Sequence, residues 1–266
     1  WPLMKNINGK LLFSGRSMTA DVTSAKILDI PLQNIHADIP DLGTNPVLTA
    51  KSTVQADLSQ GLNFIQKSPL HHTIGESLQA LELQGPMQLV LSLSVPLNHP
   101  DDTTVTGDTT ITNAILNLPE WNLAINPLNG PFRFTENSIV ASNMTGQLLG
   151  HPVILDLQTE QQKNKSAQVK ATLQGAIAIG DLKTWLNLPI DEVLQGTTQY
   201  KTELFLAPPH DSAQPTHIVF HSDLQGISIS LPGNYGKKSQ DSADFQADFF
   251  VQENQPIKTR MGYNKL

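Results

Sequence analysis

Residues 81–97 read Leu81-Glu82-Leu83-Gln84-Gly85-Pro86-Met87-Gln88-Leu89-Val90-Leu91-Ser92-Leu93-Ser94-Val95-Pro96-Leu97, and their period decides the fold class. Leu81, Leu83, Met87, Leu89, Leu91, Leu93, Val95 and Leu97 share one parity, broken only at Gly85. The other parity is mostly Glu, Gln, Ser and Pro. Successive side chains of a strand point to opposite faces, so an apolar period of two marks a half-buried strand. The stretch reads as one long strand, or as two joined at Gly85-Pro86, because Pro has no amide to give a ladder.

The same alternation recurs along the chain. It appears in Ile7, Leu11 and Phe13, in Val153, Leu155 and Leu157, and in Val169, Ala171, Leu173, Ile177 and Ile179. It appears again in Ile227, Ile229 and Leu231, and in Phe245, Ala247, Phe249 and Val251. Strand and turn signals together predict roughly ten to fourteen strands. Helical spacing occurs twice: Leu58, Leu62 and Ile65 behind Asp57, and Leu182, Trp185 and Leu186 behind Asp181. Each Asp is placed to cap a helix N-terminus, and each segment stops near a proline, Pro69 or Pro189.

Two short helices cannot cover the apolar faces of a dozen strands. Either two sheets pack into a closed sandwich, or one sheet curls and its apolar face lines a groove. Periodicity alone leaves both open.

An internal duplication is expected, with one copy over residues 1–123 and a second, incomplete one over 124–266. Asn8-Gly9 aligns with Asn129-Gly130, Phe13 with Phe134, Pro31 with Pro152, and Phe64-Ile65 with Trp185-Leu186, all without a gap. Past the helices Gly85 aligns with Gly196 and Gln88 with Gln199. Leu118-Pro119 then aligns with Leu231-Pro232. Leu-on-Leu matches come cheaply where every strand has period two, but Asn-Gly, Pro and Gly matches do not. The first copy carries extra residues around His71 to Ala80. The chain starts at Trp1 and stops at Asn264-Lys265-Leu266, as a piece of a longer repeat protein is expected to do.

Composition narrows the chemistry. With no Cys, a disulfide framework, a thiolate metal site and a Cys nucleophile are all excluded, and this suits an oxidising compartment. The formal charge is -7, and Lys237-Lys238 is the sole adjacent basic pair. Nucleic acid, which needs clustered cations, is therefore not an expected partner. No window approaches the about 18 consecutive apolar residues of a membrane span, and no leader opens the chain. Any targeting signal or anchor is expected outside this stretch.

The eight His residues suggest no metal site. His217 and His221 have the spacing of a zinc helix, but the residues between them are Ile218-Val219-Phe220. In a strand, four residues span roughly 13 Å, too far for one ion. Asp101-Asp102 follows Asn98-His99-Pro100 and reads as a turn. No nucleophile elbow, phosphate loop or dinucleotide fingerprint occurs. The expectation is a non-catalytic protein without a cofactor.

Several stretches carry a resemblance. They are Ile7-Asn8-Gly9-Lys10-Leu11-Leu12-Phe13-Ser14-Gly15-Arg16-Ser17-Met18, Leu28-Asp29-Ile30-Pro31, Leu62-Asn63-Phe64-Ile65 with Ser68-Pro69-Leu70, and Gln84-Gly85-Pro86 leading into residues 89–97. Together they resemble the AsmA-like superfamily of Gram-negative bacteria, and most closely the YhdP family. The resemblance implies a periplasmic protein tethered to the inner membrane by a helix outside this stretch. Its repeated β units would form an extended groove for phospholipid acyl chains on their way to the outer membrane. The expected architecture is then mainly β: a long curved antiparallel sheet forming an elongated, taco-like groove, with two short helices. The residues expected to line it are Leu83, Met87, Leu89, Leu91, Leu93, Val95, Ile227, Ile229, Leu231, Phe245 and Phe249. The competing expectation is a structural or adhesive β-repeat protein in which these residues form a closed core.

Overall fold

A computed structural model of the chain describes residues 1–72, 78, 81–160, 168–187, 193–206, 216–252 and 255–265. Strands β1 (Met4–Ser14), β2 (Ser17–Ile27), β3 (Ile30–Ile39) and β4 (Val47–Asp57) form a meander that runs into helix α1 (Leu58–Gln66). Strands β5 (Glu82–Gln84), β6 (Pro86–Pro96) and β7 (Thr104–Leu118) follow. A second meander, β8 (Leu123–Thr135), β9 (Ile139–Leu148), β10 (His151–Glu160) and β11 (Gln168–Ala178), runs into helix α2 (Ile179–Leu186). The chain continues through β12 (Leu194–Leu206), β13 (Thr216–Ser222), β14 (Ile227–Ile229), β15 (Ala243–Val251) and β16 (Lys258–Lys265).

Among the described residues all 16 strands belong to one antiparallel sheet, two more than the upper expectation because β5 and β14 are three-residue pieces. Along its main path the strands lie in chain order, with β5 beside β7 and β14 beside β12. The expected break at Gly85 separates β5 from β6. The sheet does not close on itself, so its strands do not form the sealed sandwich core of the competing expectation.

Curvature has a visible source. Asn6, Asn34, Asn113 and Asn143 all have φ between 51° and 56°, and each sits at or beside a register shift in its ladder. Asn tolerates the left-handed region better than most residues, and one extra residue on one strand bends and twists the pair. The freed amides are satisfied locally. Asn113 N–H donates to Asn129 Oδ1 at 2.8 Å and Asn143 N–H to Asp156 Oδ1 at 2.7 Å.

A meander alternates its turns between two rims. Turns 28–29, 119–122 and 149–150, together with both helices, fall on one of them, here called the helical rim. The opposite rim carries turns 15–16, 40–46, 97–103 and 136–138. Helix α1 starts as expected: Asp57 is its N-cap, with a full capping box to Gln60. Helix α2 corrects the expectation. Its N-cap is Ala178, and Asp181 lies inside the first turn, because β11 runs on to Ala178 and the helix starts at Ile179. Pro189 lies outside the described residues.

The apolar trough

One face of the curled sheet is a trough of about 1350 Å³. Several strands contribute a single parity to it. Strand β6 gives Met87, Leu89, Leu91, Leu93 and Val95, β11 gives Val169, Ala171, Leu173 and Ile177, and β15 gives Phe245, Ala247, Phe249 and Val251. The floor is tightest across β7–β10, where Ala114, Ile125, Leu128, Met144, Val153 and Leu155 are all buried. Towards β12–β15 it becomes aromatic: Tyr200 stacks on Phe220 at 5.5 Å, and Phe220 meets Phe245 edge-on at 6.1 Å. Burial pushes the Tyr200 hydroxyl up to about 12.

Among the described residues Lys51 is the sole charged contributor to the lining, and it is itself solvent-exposed. Charged groups gather instead on the opposite, convex parity. There Glu203 accepts from Lys201 at 2.8 Å and lies 3.2 Å from Lys170. The Lys201 contact, reinforced by Lys170, outweighs partial burial and holds the Glu203 carboxyl below its usual range. His217 and His221 also lie on this face, each with its own partner, Asp248 at 3.0 Å and Asp244 at 2.7 Å. As the sequence suggested, both lie on a strand, β13. No group of three potential metal ligands converges among the described residues.

Of the eleven sequence-derived lining residues, Leu83, Met87, Leu89, Leu91, Leu93, Val95, Phe245 and Phe249 are brought together on this surface. Ile227, Ile229 and Leu231 lie outside the lining. After Ser222 the chain leaves the β13 line through Leu224 and Gly226, both at positive φ, and β14 lies against the first residues of β12. Lys237 then closes that corner, its Nζ donating to the carbonyls of Ile227, Lys238 and Asp241. Ile227 is buried there and Leu231 is exposed.

The trough also has walls beyond those eleven residues, supplied by β3, β7, β8 and β10, such as Leu32, Ile111, Phe132 and Leu155. Their period-two pattern carried the same signal as β6, diluted by Thr, Asn and Gly at bulges. The helices contribute too: Leu58, Leu62, Phe64, Ile65, Leu182 and Trp185 complete the lining along one rim. From the expected insertion, Leu78 reaches the trough, as does Leu70 just before it, while residues 73–77, 79 and 80 lie outside the described residues.

No described helix is long and apolar enough to cross a membrane. The intermembrane phospholipid transporter YhdP of Escherichia coli (strain K12) is 25% identical over 239 residues. That alignment covers 89% of this chain and 18% of the relative, so the chain spans about a fifth of the length of the protein it matches. No solved structure matches. The model of the YhdP protein family matches residues 1–265, and a match over nearly every residue places this chain in the YhdP family.

Proposed function

We propose that this chain is a non-catalytic length of a lipid conduit in the Gram-negative envelope, lying in the periplasm between inner and outer membrane and held by an anchor elsewhere in the protein. The acyl chains of phospholipids lie in the trough and the headgroups stay in water at its mouth. The observation that carries this reading is the trough itself: a continuous surface built from one parity of strand after strand, with almost no charge on it. Each acyl CH₂ removed from water is worth roughly 0.8 kcal/mol, so an apolar channel lowers the barrier to moving a lipid without any reacting group. Leu83, Met87, Leu89, Leu91, Leu93, Val95, Phe245 and Phe249 are the proposed contacts. Membership of the family, and the intermembrane phospholipid transport of its relative, support the reading.

Two copies, residues 1–123 and 124–266, belong to the same proposal. Four strands, a short helix and then further strand occur twice in the same order, interrupted at Gly85 in the first case and continuous through Gly196 in the second. Gly85 and Gly196, the aligned glycines, share φ of +116°. A repeated apolar surface is what a groove longer than one copy requires.

The test is direct. The folded chain, incubated with vesicles of phosphatidylethanolamine and phosphatidylglycerol, re-isolated and extracted with organic solvent, should carry phospholipid detectable by mass spectrometry. Leu91→Asp and Leu93→Asp, each on the trough wall, should lower that load strongly while circular dichroism stays unchanged. A folded wild-type chain that extracts no lipid, or a folded Leu91→Asp chain loaded like wild type, overturns the proposal.

A further inference from the structure

Helix α2 reaches back along the helical rim and is tied there at two points. Asp181 in its first turn meets His151, at the β9–β10 turn, with Oδ2 2.7 Å from Nε2. One turn later, the Trp185 indole N–H donates to the Trp121 carbonyl, at the β7–β8 turn, at 2.7 Å. Leu182, Trp185 and Leu186 line the trough from this helix, so it lies over the mouth beside β8–β11. It has no side-chain N-cap and no buried residue. Nothing lies within 4 Å of where a Cβ on Gly180 would sit.

Helix α1 occupies the same place relative to β1–β4 and reaches the same two landmarks. Gln60 Nε2 donates to the Asp29 carbonyl at the β2–β3 turn at 3.3 Å, and Phe64 packs on Trp1, just before β1, with centroids 6.3 Å apart. Yet α1 is fastened from beneath. Asp57 accepts from the Gly85 N–H at 2.9 Å, and the Leu58 N–H donates to the Gly85 carbonyl at 2.8 Å. Leu58 is buried, and Gly61 lies so close to Met87 that a Cβ there would meet its Cε at 2.8 Å. One architecture therefore occurs twice, once anchored by capping and burial and once by side-chain ties at the rim. Elements with few buried groups open at the low end of a protein's local stabilities.

We propose that α2 is a lid. The Trp185–Trp121 and His151–Asp181 ties hold it over the trough, and their release lets it swing out from the end of β11, so that an acyl chain enters or leaves sideways through the helical rim. Helix α1 is the fixed counterpart. The proposal rests on the lipid-conduit reading.

The absence of Cys makes the experiment clean. His151→Cys with Asp181→Cys, neither on the trough lining, is joined by a short bis-maleimide to lock the lid. Trp185→Phe keeps a ring and removes the indole donor. Loading and unloading of a fluorescent phosphatidylcholine from vesicles are followed by stopped flow, and amide hydrogen exchange is followed over residues 179–187. Trp185→Phe should speed α2 exchange by about five-fold, the scale of one net hydrogen bond, and should speed unloading. The cross-linked pair should load and unload about ten-fold or more slowly than the same pair before cross-linking, since the sideways path through the helical rim is then held shut. Cross-linked protein that loads and unloads like the uncross-linked pair overturns the lid. If wild type takes up no probe, the conduit reading fails instead. In that case exchange of α2 in step with the sheet, unchanged by Trp185→Phe, overturns the lid separately.

Discussion

Asp57 shows how much a single carboxylate can organise. It accepts from the Ser59 amide and hydroxyl and from the Gly85 amide, joining the start of α1 to the break between β5 and β6. Partial burial pushes its pKa up, but these hydrogen bonds together prevail and hold it below the ordinary 3.8. A depressed folded-state value means the charged form stabilises the fold. That contribution is complete above 3.8 and is lost as the pH falls through the lower folded-state value. Asp57→Ala should cost about 1 kcal/mol at neutral pH in urea unfolding, and the difference from wild type should shrink as acid protonates the cap. Gly196 is a second such position: at φ +116°, an added Cβ would fall 2.1 Å from the Gly226 carbonyl oxygen. Gly196→Ala should therefore destabilise the chain by more than the about 1 kcal/mol typical of ordinary glycine replacements, measured by thermal unfolding. The Asp57 cap was legible because Asp followed by Leu58, Leu62 and Ile65 is a local signal. Asp181 was misread as a cap because its true partner, His151, lies 30 residues away.

At the scale of the element, parity told which side chains share a face but not what that face meets. Strands β1 and β6 both alternate, yet Leu11, Leu12 and Phe13 of β1 are exposed while β6 lines the trough. The difference is position: β1 is at the end of the sheet and β6 is flanked by β4 and β7. Leu12→Asp should therefore change stability within about 0.5 kcal/mol. Met144→Ala, at a side chain 2% exposed on β9, should cost about 2–5 kcal/mol, scored by the same urea titration. The departure of β14 from the trough was not legible, because Ile227, Ile229 and Leu231 keep a strand's period through a corner that Lys237 closes from ten residues further on.

For the whole molecule, the apolar character of the trough has a consequence in solution. Its lining holds almost no charge, so an acyl probe should bind with nearly the same affinity at about 0.1 M and about 1 M salt, although screening shortens from about 10 to about 3 Å. Fluorescence titration at the two salt concentrations checks this. A marked loss at high salt would point to charged contacts instead. That the protein is mainly β with two short helices was readable from period and composition. That the sheet stays open was not, because its curl depends on single-residue insertions at Asn6, Asn34, Asn113 and Asn143 that leave the hydrophobic pattern nearly intact.

The chain-ordered path of the sheet also bears on how it is made. Along that path nearly every strand finds its partner in the strand just before it, so little loop entropy is spent before a contact is gained. Folding can start at any hairpin and advance as a front, each finished edge serving as the template for the next segment. Such a sheet can be completed strand by strand as the chain becomes available, without waiting for its far end.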